Sequence, residues 1–382
     1  MRAAVVGGGV VGLASAYYLA RRGADVTVLE RGSVGAENSV RTGGGIRAQF
    51  GTRANVELSR ESIRVWESFD EAFGVDIDYR RPGYLFLART EATAGGLREN
   101  VALQNDLGVD SEFLAPEAAE AHCPRLRSER FVGTAYCPTD GYADHHRIVQ
   151  GFHEGALDAG VEVSTGTAVE DVRLDDGRAT GVETNRGAFD ADCVVNAAGA
   201  WGGCVAAMAG VDLPIAPKRR QLMIVDPSTP VPDSTAWTAD LDGGAHFRPD
   251  GDGRALVGGI LDHDDDPVDP EAYSRRHDDD WAATVLRRAA EVADYVGPDA
   301  TVREGWAGLY AMTPDGHPVI EETIPGFVNA VGFSGHGLMQ APATGQVVAE
   351  LALDGDAETV DVSALTADRF ERGELLGERT VF

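Results

Sequence analysis

The sequence predicts an α/β protein with two interleaved parts: a parallel sheet alternating with helices, and a second, α+β part on a mixed, largely antiparallel sheet. Three observations carry this. Residues 3–30 run strand, glycine-rich turn, helix, strand; β-rich stretches return from Val161 and from Gln221 to Gly259; and glycine-rich turns recur after Asn196 and after Val331. No internal repeat or low-complexity linker divides the chain.

In chain order, Ala3–Val6 form an apolar strand without alternation, as expected where both faces of a parallel sheet are covered. Val10–Arg22 are helix formers followed by Gly23, and Asp25–Glu30 form the next strand. Arg41–Gly51 read as a glycine-rich loop, Glu57–Phe73 as one long helix, Arg81–Arg89 as a strand and Glu91–Leu107 as a helix. Strands are expected at 161–163, 167–174, 180–184 and 193–196. An acidic loop, Asp262–Asp269, leads to a helix over 281–292. The strand Val328–Val331 is followed by a glycine-rich turn and a helix over 341–353.

Composition narrows the function classes. The 382 residues suffice for one large or two intertwined domains, and 43% apolar with 25% charged residues exclude both a disordered chain and an ordinary membrane bundle. Thirty-three Lys plus Arg against 62 Asp plus Glu give a net charge of −29, and Lys218 is the one lysine. Such a surface repels phosphate backbones, so no nucleic-acid partner is expected. Concentrated salt screens its self-repulsion, and the composition resembles that of proteins from salt-loving archaea. Cys123, Cys137, Cys193 and Cys204 show neither CxxC nor zinc spacing, which suits reduced thiols in a cytoplasmic protein. Ala3–Ala20 carry no charge, but their glycines and the charged strand that follows argue against both a membrane span and a signal peptide. The acidic runs at 262–266 and 278–280 and the pair His145-His146 lack dedicated metal-loop spacing and read as solvated surface; no metal is expected.

Gly7-x-Gly9-x-x-Gly12 lies between strand and helix. That placement permits a tight turn, close approach of backbone to a pyrophosphate, and tight helix–strand packing. Val10 and Val11 open the helix, whose unpaired N–H groups favour phosphate. Glu30 ends the second strand, where a carboxylate accepts from both ribose hydroxyls and repels a 2′-phosphate. The motif alone fits FAD or NAD. The further turns Asn196-Ala-Ala-Gly199-Ala-Trp201 and Gly332-Phe-Ser-Gly335-His336-Gly337-Leu338-Met339 suit the longer FAD, which touches several strand ends.

With Glu30-Arg31, Gly43-Gly-Gly-Ile46-Arg47-Ala-Gln-Phe50, Val195–Gly199, Trp306–Asp315 and Gly332–Met339 in place, nearly the whole chain resembles the FAD-dependent amino-acid and secondary-amine oxidoreductases. This is the D-amino-acid oxidase superfamily. The last three motifs look most like its sarcosine oxidase β, dye-linked L-proline dehydrogenase β and glycine oxidase branch. The resemblance implies a Rossmann-type FAD domain over 1–80, 143–205 and 326–364, a substrate domain over 81–142 and 206–325, and a tail over 365–382. It implies non-covalent FAD held by Gly7, Gly9, Val10, Val11, Gly12, Glu30, Arg31, Ser39, Thr42, Gly44, Ile46, Val169, Ala198, Gly199, Trp201, Gly332, Gly335, His336, Gly337, Leu338 and Met339. Arg47 stands where sarcosine oxidase clamps the substrate carboxylate, as a permanently charged bidentate group can. Tyr310 stands where the family places an aromatic near the substrate, and its phenol could bond the carboxylate, shape the pocket or serve the core. His336 is expected in cofactor contact, its ring hydrogen-bonding its loop or adding to the positive end of the last helix.

Three departures from sarcosine oxidase stand out. Gly308 replaces the flavin-tethering cysteine, Leu256-Val257-Gly258 lack the lysine that promotes reaction with oxygen, and Met339 replaces a second carboxylate-binding lysine. The expected reaction is hydride transfer from an amino acid or N-methylated amine to flavin N5, with imine hydrolysis. A dehydrogenase is favoured, with His246 or Arg248 as stand-in cations should oxygen be the acceptor. The acceptor stays open among oxygen, a quinone and a protein, and hetero- or homo-oligomers fit equally. One alternative keeps the fold and oxidises a 2-hydroxy acid or glycerol 3-phosphate. Another is an FAD-binding tRNA-modifying or non-catalytic subunit.

Overall fold

The computed structural model describes residues 1–378 and 380, with Asp262 and His263 described by backbone alone; Arg379, Val381 and Phe382 of the expected tail lie outside the described residues. A six-stranded sheet runs in the order Val319–Ile324, Phe327–Val331, Cys193–Asn196, Arg2–Val6, Asp25–Glu30, Glu162–Thr165. All its pairs are parallel except the first, a hairpin. Alternate residues point to opposite faces, and both faces of the central strands Phe327–Val331, Cys193–Asn196 and Arg2–Val6 are buried. Val5, Val28 and Val195 pack with Ala16 and Leu19 of the helix Val10–Arg21 and with Val348 of the helix Gly337–Asp354. Val6, Leu29 and Val194 pack on the other face with Val205 and with Val172 and Val182 of a three-stranded antiparallel sheet spanning 169–190. This double covering is why these strands read as continuous apolar runs.

The second sheet has eight strands: Thr301–Met312, Ala216–Asp226, Ala255–Gly259, Ala245–Pro249, Trp237–Asp240, Tyr84–Ala88, Gly133–Cys137 and Glu112–Leu114, in that spatial order. Its one parallel pair joins Trp237–Asp240 to Tyr84–Ala88. Trp281, Val285 and Leu286 of the helix Asp279–Ala289 share a buried cluster with Met223, Phe247 and Val257 of this sheet. The fold is therefore the expected mixed α/β architecture. A division at residue 326 would cut the hairpin Val319–Ile324/Phe327–Val331, which belongs to the six-stranded sheet.

Local differences from the sequence reading have physical causes. The helix expected over 57–73 forms instead as Arg53–Glu67 and Phe69–Phe73. Between them Ser68 leaves helical geometry (φ −120°, ψ 22°) and returns its hydroxyl to the carbonyl of Arg64. The Arg41–Gly51 loop contains a short strand, Gly45–Ile46, paired with Gly141–Tyr142. The last helix begins at Gly337, four residues before its expected start, and accommodates Pro342 in its second turn.

Candidate active site

The strand ends of the first sheet and the inner face of the second enclose a cavity of ≈ 630 Å³. Gly7, Gly9, Val10, Val11, Glu30, Arg31, Ser39, Thr42, Arg47, Val169, Ala198, Gly199, Trp201, Tyr310, Gly332, Gly335, His336, Gly337, Leu338 and Met339 all line it. Gly12, Gly44 and Ile46 do not. A Cβ on Gly12 would stand 2.0 Å from the Gly7 carbonyl oxygen, so glycine here lets the first helix close on the turn. Gly44 has φ +76° and packs on Ala143, while Ile46 is fully buried in the core.

The turn and Glu30 form one unit. Oε2 of Glu30 accepts the Gly8 N–H at 2.8 Å and Oε1 accepts that of Gly32 at 2.6 Å. Each oxygen retains a further lone pair for a ribose hydroxyl. Ser39 Oγ accepts the Val10 N–H at 3.0 Å, and the Arg31 guanidinium lies 3.9 Å over the Trp201 ring. The site fits FAD on two counts of its own. Neither helix opening at Val10 or Gly337 is capped by its own N-cap side chain, and beyond the Val10 N–H held by Ser39 their first-turn N–H groups are donors at the cavity wall. Both ring nitrogens of His336, 3% exposed, have no hydrogen-bond partner among the described residues.

His336 does not hydrogen-bond its loop through the ring. It packs edge-on against Phe50, with centroids 4.7 Å apart. Burial, then the charge of Arg47, holds its pKa well below the usual histidine range, so the ring is neutral and adds no positive charge to the helix end. Gly308 lines the cavity, and a Cβ there would sit 3.1 Å from Cβ of Arg41.

Arg47 is 2% exposed and its guanidinium lies 4.0 Å over the Phe50 ring. Nη1 donates to the Gln49 carbonyl and, at 3.2 Å, to the hydroxyl of Thr380; Nη2 donates to the Thr380 carbonyl at 2.5 Å. Burial lowers its pKa, and Glu378, Tyr84, Asp140 and Tyr310 oppose that shift. Glu378 is fastened by the Gly51 N–H at 3.1 Å and by the Thr380 N–H at 3.0 Å. Asp140 accepts the Ala48 N–H at 2.9 Å, while its second oxygen has no partner among the described residues; burial pushes its pKa up to about 7. Tyr310 lies against Gly335 and 5.6 Å from the Arg220 guanidinium. Burial raises its pKa, with Arg220 and Arg47 both opposing.

The two proposed stand-in cations are unsuited to the role. His246 lines the cavity, but burial pushes its pKa down to about 3, so it is neutral. Arg248 donates to the carbonyls of Gly43 and Pro249 and to Asp250, and is no part of the cavity wall. Sequence reasoning missed Glu378, Thr380, Asp140 and Arg220. Only Arg220 left a signal, the basic run Lys218-Arg219-Arg220 in an acidic chain.

Comparison with known proteins agrees with this geometry. The family described as FAD dependent oxidoreductase (DAO) matches residues 2–351. Glycine oxidase of Geobacillus kaustophilus is 29% identical over 91% of this chain and 92% of its own length. Sarcosine oxidase subunit beta of Rhizobium meliloti is 30% identical over 98% and 89%. Among solved structures, L-proline dehydrogenase from P. horikoshii superposes with a TM-score of 0.87, at 32% identity, covering 98% of each chain.

Proposed function

Because the chain belongs to the FAD dependent oxidoreductases, we propose that it oxidises the C–N bond of an amino acid or a secondary, N-alkylated amine bearing a carboxylate. The observation that carries this reading is Arg47, a buried guanidinium on the wall of the cofactor cavity and close to Tyr310. Relatives named for glycine, sarcosine and L-proline oxidation share substrates with a carboxylate next to the amine.

FAD, when bound, accepts the hydride released from the substrate α-carbon. The chain's own residues do the rest. Glu30 and the Gly7–Gly12 turn hold the nucleotide end, and the N-terminus of Gly337–Asp354 presents N–H donors and a positive dipole end to the cavity. Arg47 fixes the carboxylate so that the α-hydrogen keeps one orientation, and Tyr310 walls the pocket beside it. Phe50, Tyr84, Phe86 and Trp237 are buried around this end, and the low polarity excludes water and favours the neutral amine. Since Thr380 engages Arg47, a carboxylate must exchange with that carbonyl to gain the full fork.

FAD is held without a covalent bond in this reading, because Gly308 offers no sulfur. Transfer of electrons to a dye, quinone or protein rather than oxygen is favoured by the neutral His246 and by the pairing of Arg248. No helix among the described residues is long and apolar enough to cross a membrane. The sarcosine oxidase relatives are named as β subunits, which supports association with further chains. The test is anaerobic bleaching of the bound flavin by amino acids, N-methyl amino acids, 2-hydroxy acids and glycerol 3-phosphate. Bleaching by the amines alone supports this reading; bleaching by hydroxy acids or glycerol 3-phosphate alone defeats it.

A further inference from the structure

The strand Ala216–Asp226 carries Lys218, Arg219 and Arg220 within a chain of net charge −29. Successive side chains of a strand leave by opposite faces. Arg219 goes to Asp278, at 2.5 Å, and to the Ser274 carbonyl, at 2.9 Å. Lys218 and Arg220 leave by the other face, opposite Tyr310 and Gly308 of the paired strand Thr301–Met312. Arg220 reaches the wall of the main cavity, and Lys218 does not.

Arg220 lines that cavity and also a second one of ≈ 510 Å³, whose wall includes Lys218. The Arg220 side chain is 9% exposed; its Nη1 donates to the carbonyls of Arg219, at 3.2 Å, and Asp264, which leaves Nε as its unmet donor among the described residues. Its Nη2 and the Lys218 Nζ share a single carboxylate, Asp265, at 3.0 and 3.3 Å, and Asp265 is itself 63% exposed. Taking a guanidinium out of water with a donor unmet is costly unless a ligand completes it.

Holding an amino-acid carboxylate at Arg47 uses one guanidinium, and Arg220, 5.6 Å from the Tyr310 ring on the same cavity wall, is a second. We propose that Arg220, supported by Lys218, is a second anion subsite, and that the substrate is an acidic amine or amino acid with a second carboxylate distal to the one at Arg47. This rests on the amine-oxidation reading above. It also accounts for a local pair of cations in a chain whose overall field repels anions, because a doubly negative substrate needs that compensation at the site.

The test uses the FAD-loaded full chain at one fixed ionic strength. The flavin absorption spectrum is titrated with glutarate and with butyrate, neither of which has an amine to oxidise. Anaerobic flavin reduction is measured in parallel with glutamate and N-carboxymethyl amino acids against alanine, proline and sarcosine. Glutarate is expected to saturate at a concentration at least tenfold below butyrate. Arg220→Met should remove that difference with butyrate affinity unchanged, and Arg220→Lys should restore part of it. Should Arg220→Met not fold, Lys218→Met provides the same comparison with a smaller loss. Equal affinity for the two ligands in the unaltered protein, or equal weakening of both by Arg220→Met, overturns the subsite. If glutarate is preferred but no amine reduces the flavin, the subsite stands and the amine reading falls. If neutral amines reduce it and the acidic ones neither reduce nor compete, the reverse holds.

Discussion

Arg47 and Thr380, 333 positions apart in sequence, meet beside the cavity that Arg47 lines, where the arginine donates to the threonine carbonyl at 2.5 Å and to its hydroxyl at 3.2 Å. A tail segment thus occupies donors that the proposed reading assigns to a carboxylate substrate. Ending the chain at Gly373 is expected to lower KM for a carboxylate amine by roughly tenfold, the value of one charge-assisted hydrogen bond no longer displaced. Steady-state kinetics of the shortened protein check this. A raised KM would mean that the tail builds the site.

Glu30 bonds the Gly8 and Gly32 N–H groups and faces the nucleotide end, so Glu30→Ala loses both the ribose acceptor and the brace of the turn. FAD affinity should fall about ten- to a hundredfold, from the roughly 1.5–3 kcal/mol of a charged hydrogen bond. Titration of the apoprotein with FAD, followed by flavin fluorescence, reads it. Unchanged affinity would remove Glu30 from the ribose.

Asp140 gives a pH signature. Its pKa rises from 3.8 to about 7 on folding because burial disfavours the carboxylate. The folded state therefore keeps a proton that the unfolded chain has already lost. Stability from this group is full below about pH 4 and is lost as pH rises through 7, by up to roughly 4 kcal/mol. Asp140→Asn keeps an oxygen for the Ala48 N–H and removes the titration. Urea unfolding across pH 4–8 should show the two proteins converging at the acid end and the variant gaining on the parent toward pH 8. Parallel curves would contradict this.

Reoxidation tests the electron acceptor. Superoxide character develops as oxygen takes its first electron, and a nearby cation stabilises it. His246 is neutral and Arg248 is turned to Gly43, Pro249 and Asp250. Reduced enzyme mixed with air-saturated buffer should reoxidise more slowly than substrate reduces it. Equal rates would make it an oxidase.

The glycine turn and its acid were legible because they depend on local backbone: Gly7, Gly9 and Gly12 fix a turn, and Glu30, one strand later, bonds it. Arg47 and Tyr310 were found through motif resemblance, and the structure brings both to one cavity. The expectation that His336 bonds its loop failed because burial against Phe50, a tertiary contact, decides that ring's surroundings. Glu378, Thr380 and Asp140 were illegible for the same reason. Thr380 reaches Arg47 and Asp140 reaches Ala48 across 333 and 92 residues, and nothing in the local pattern of either marks it. Ser68 was missed because a hydroxyl returning to its own helix interrupts a pattern whose apolar period runs on.

The central claim is that Arg47 holds the carboxylate of an amine being oxidised. Its most direct test is the limiting rate of anaerobic flavin reduction by the best amine, in the parent protein and in Arg47→Ala. Removing one partner of a buried charged pair costs roughly 3–5 kcal/mol, or two to three and a half orders of magnitude, and the flavin absorption spectrum should barely move. Near-normal reduction in Arg47→Ala would contradict the account.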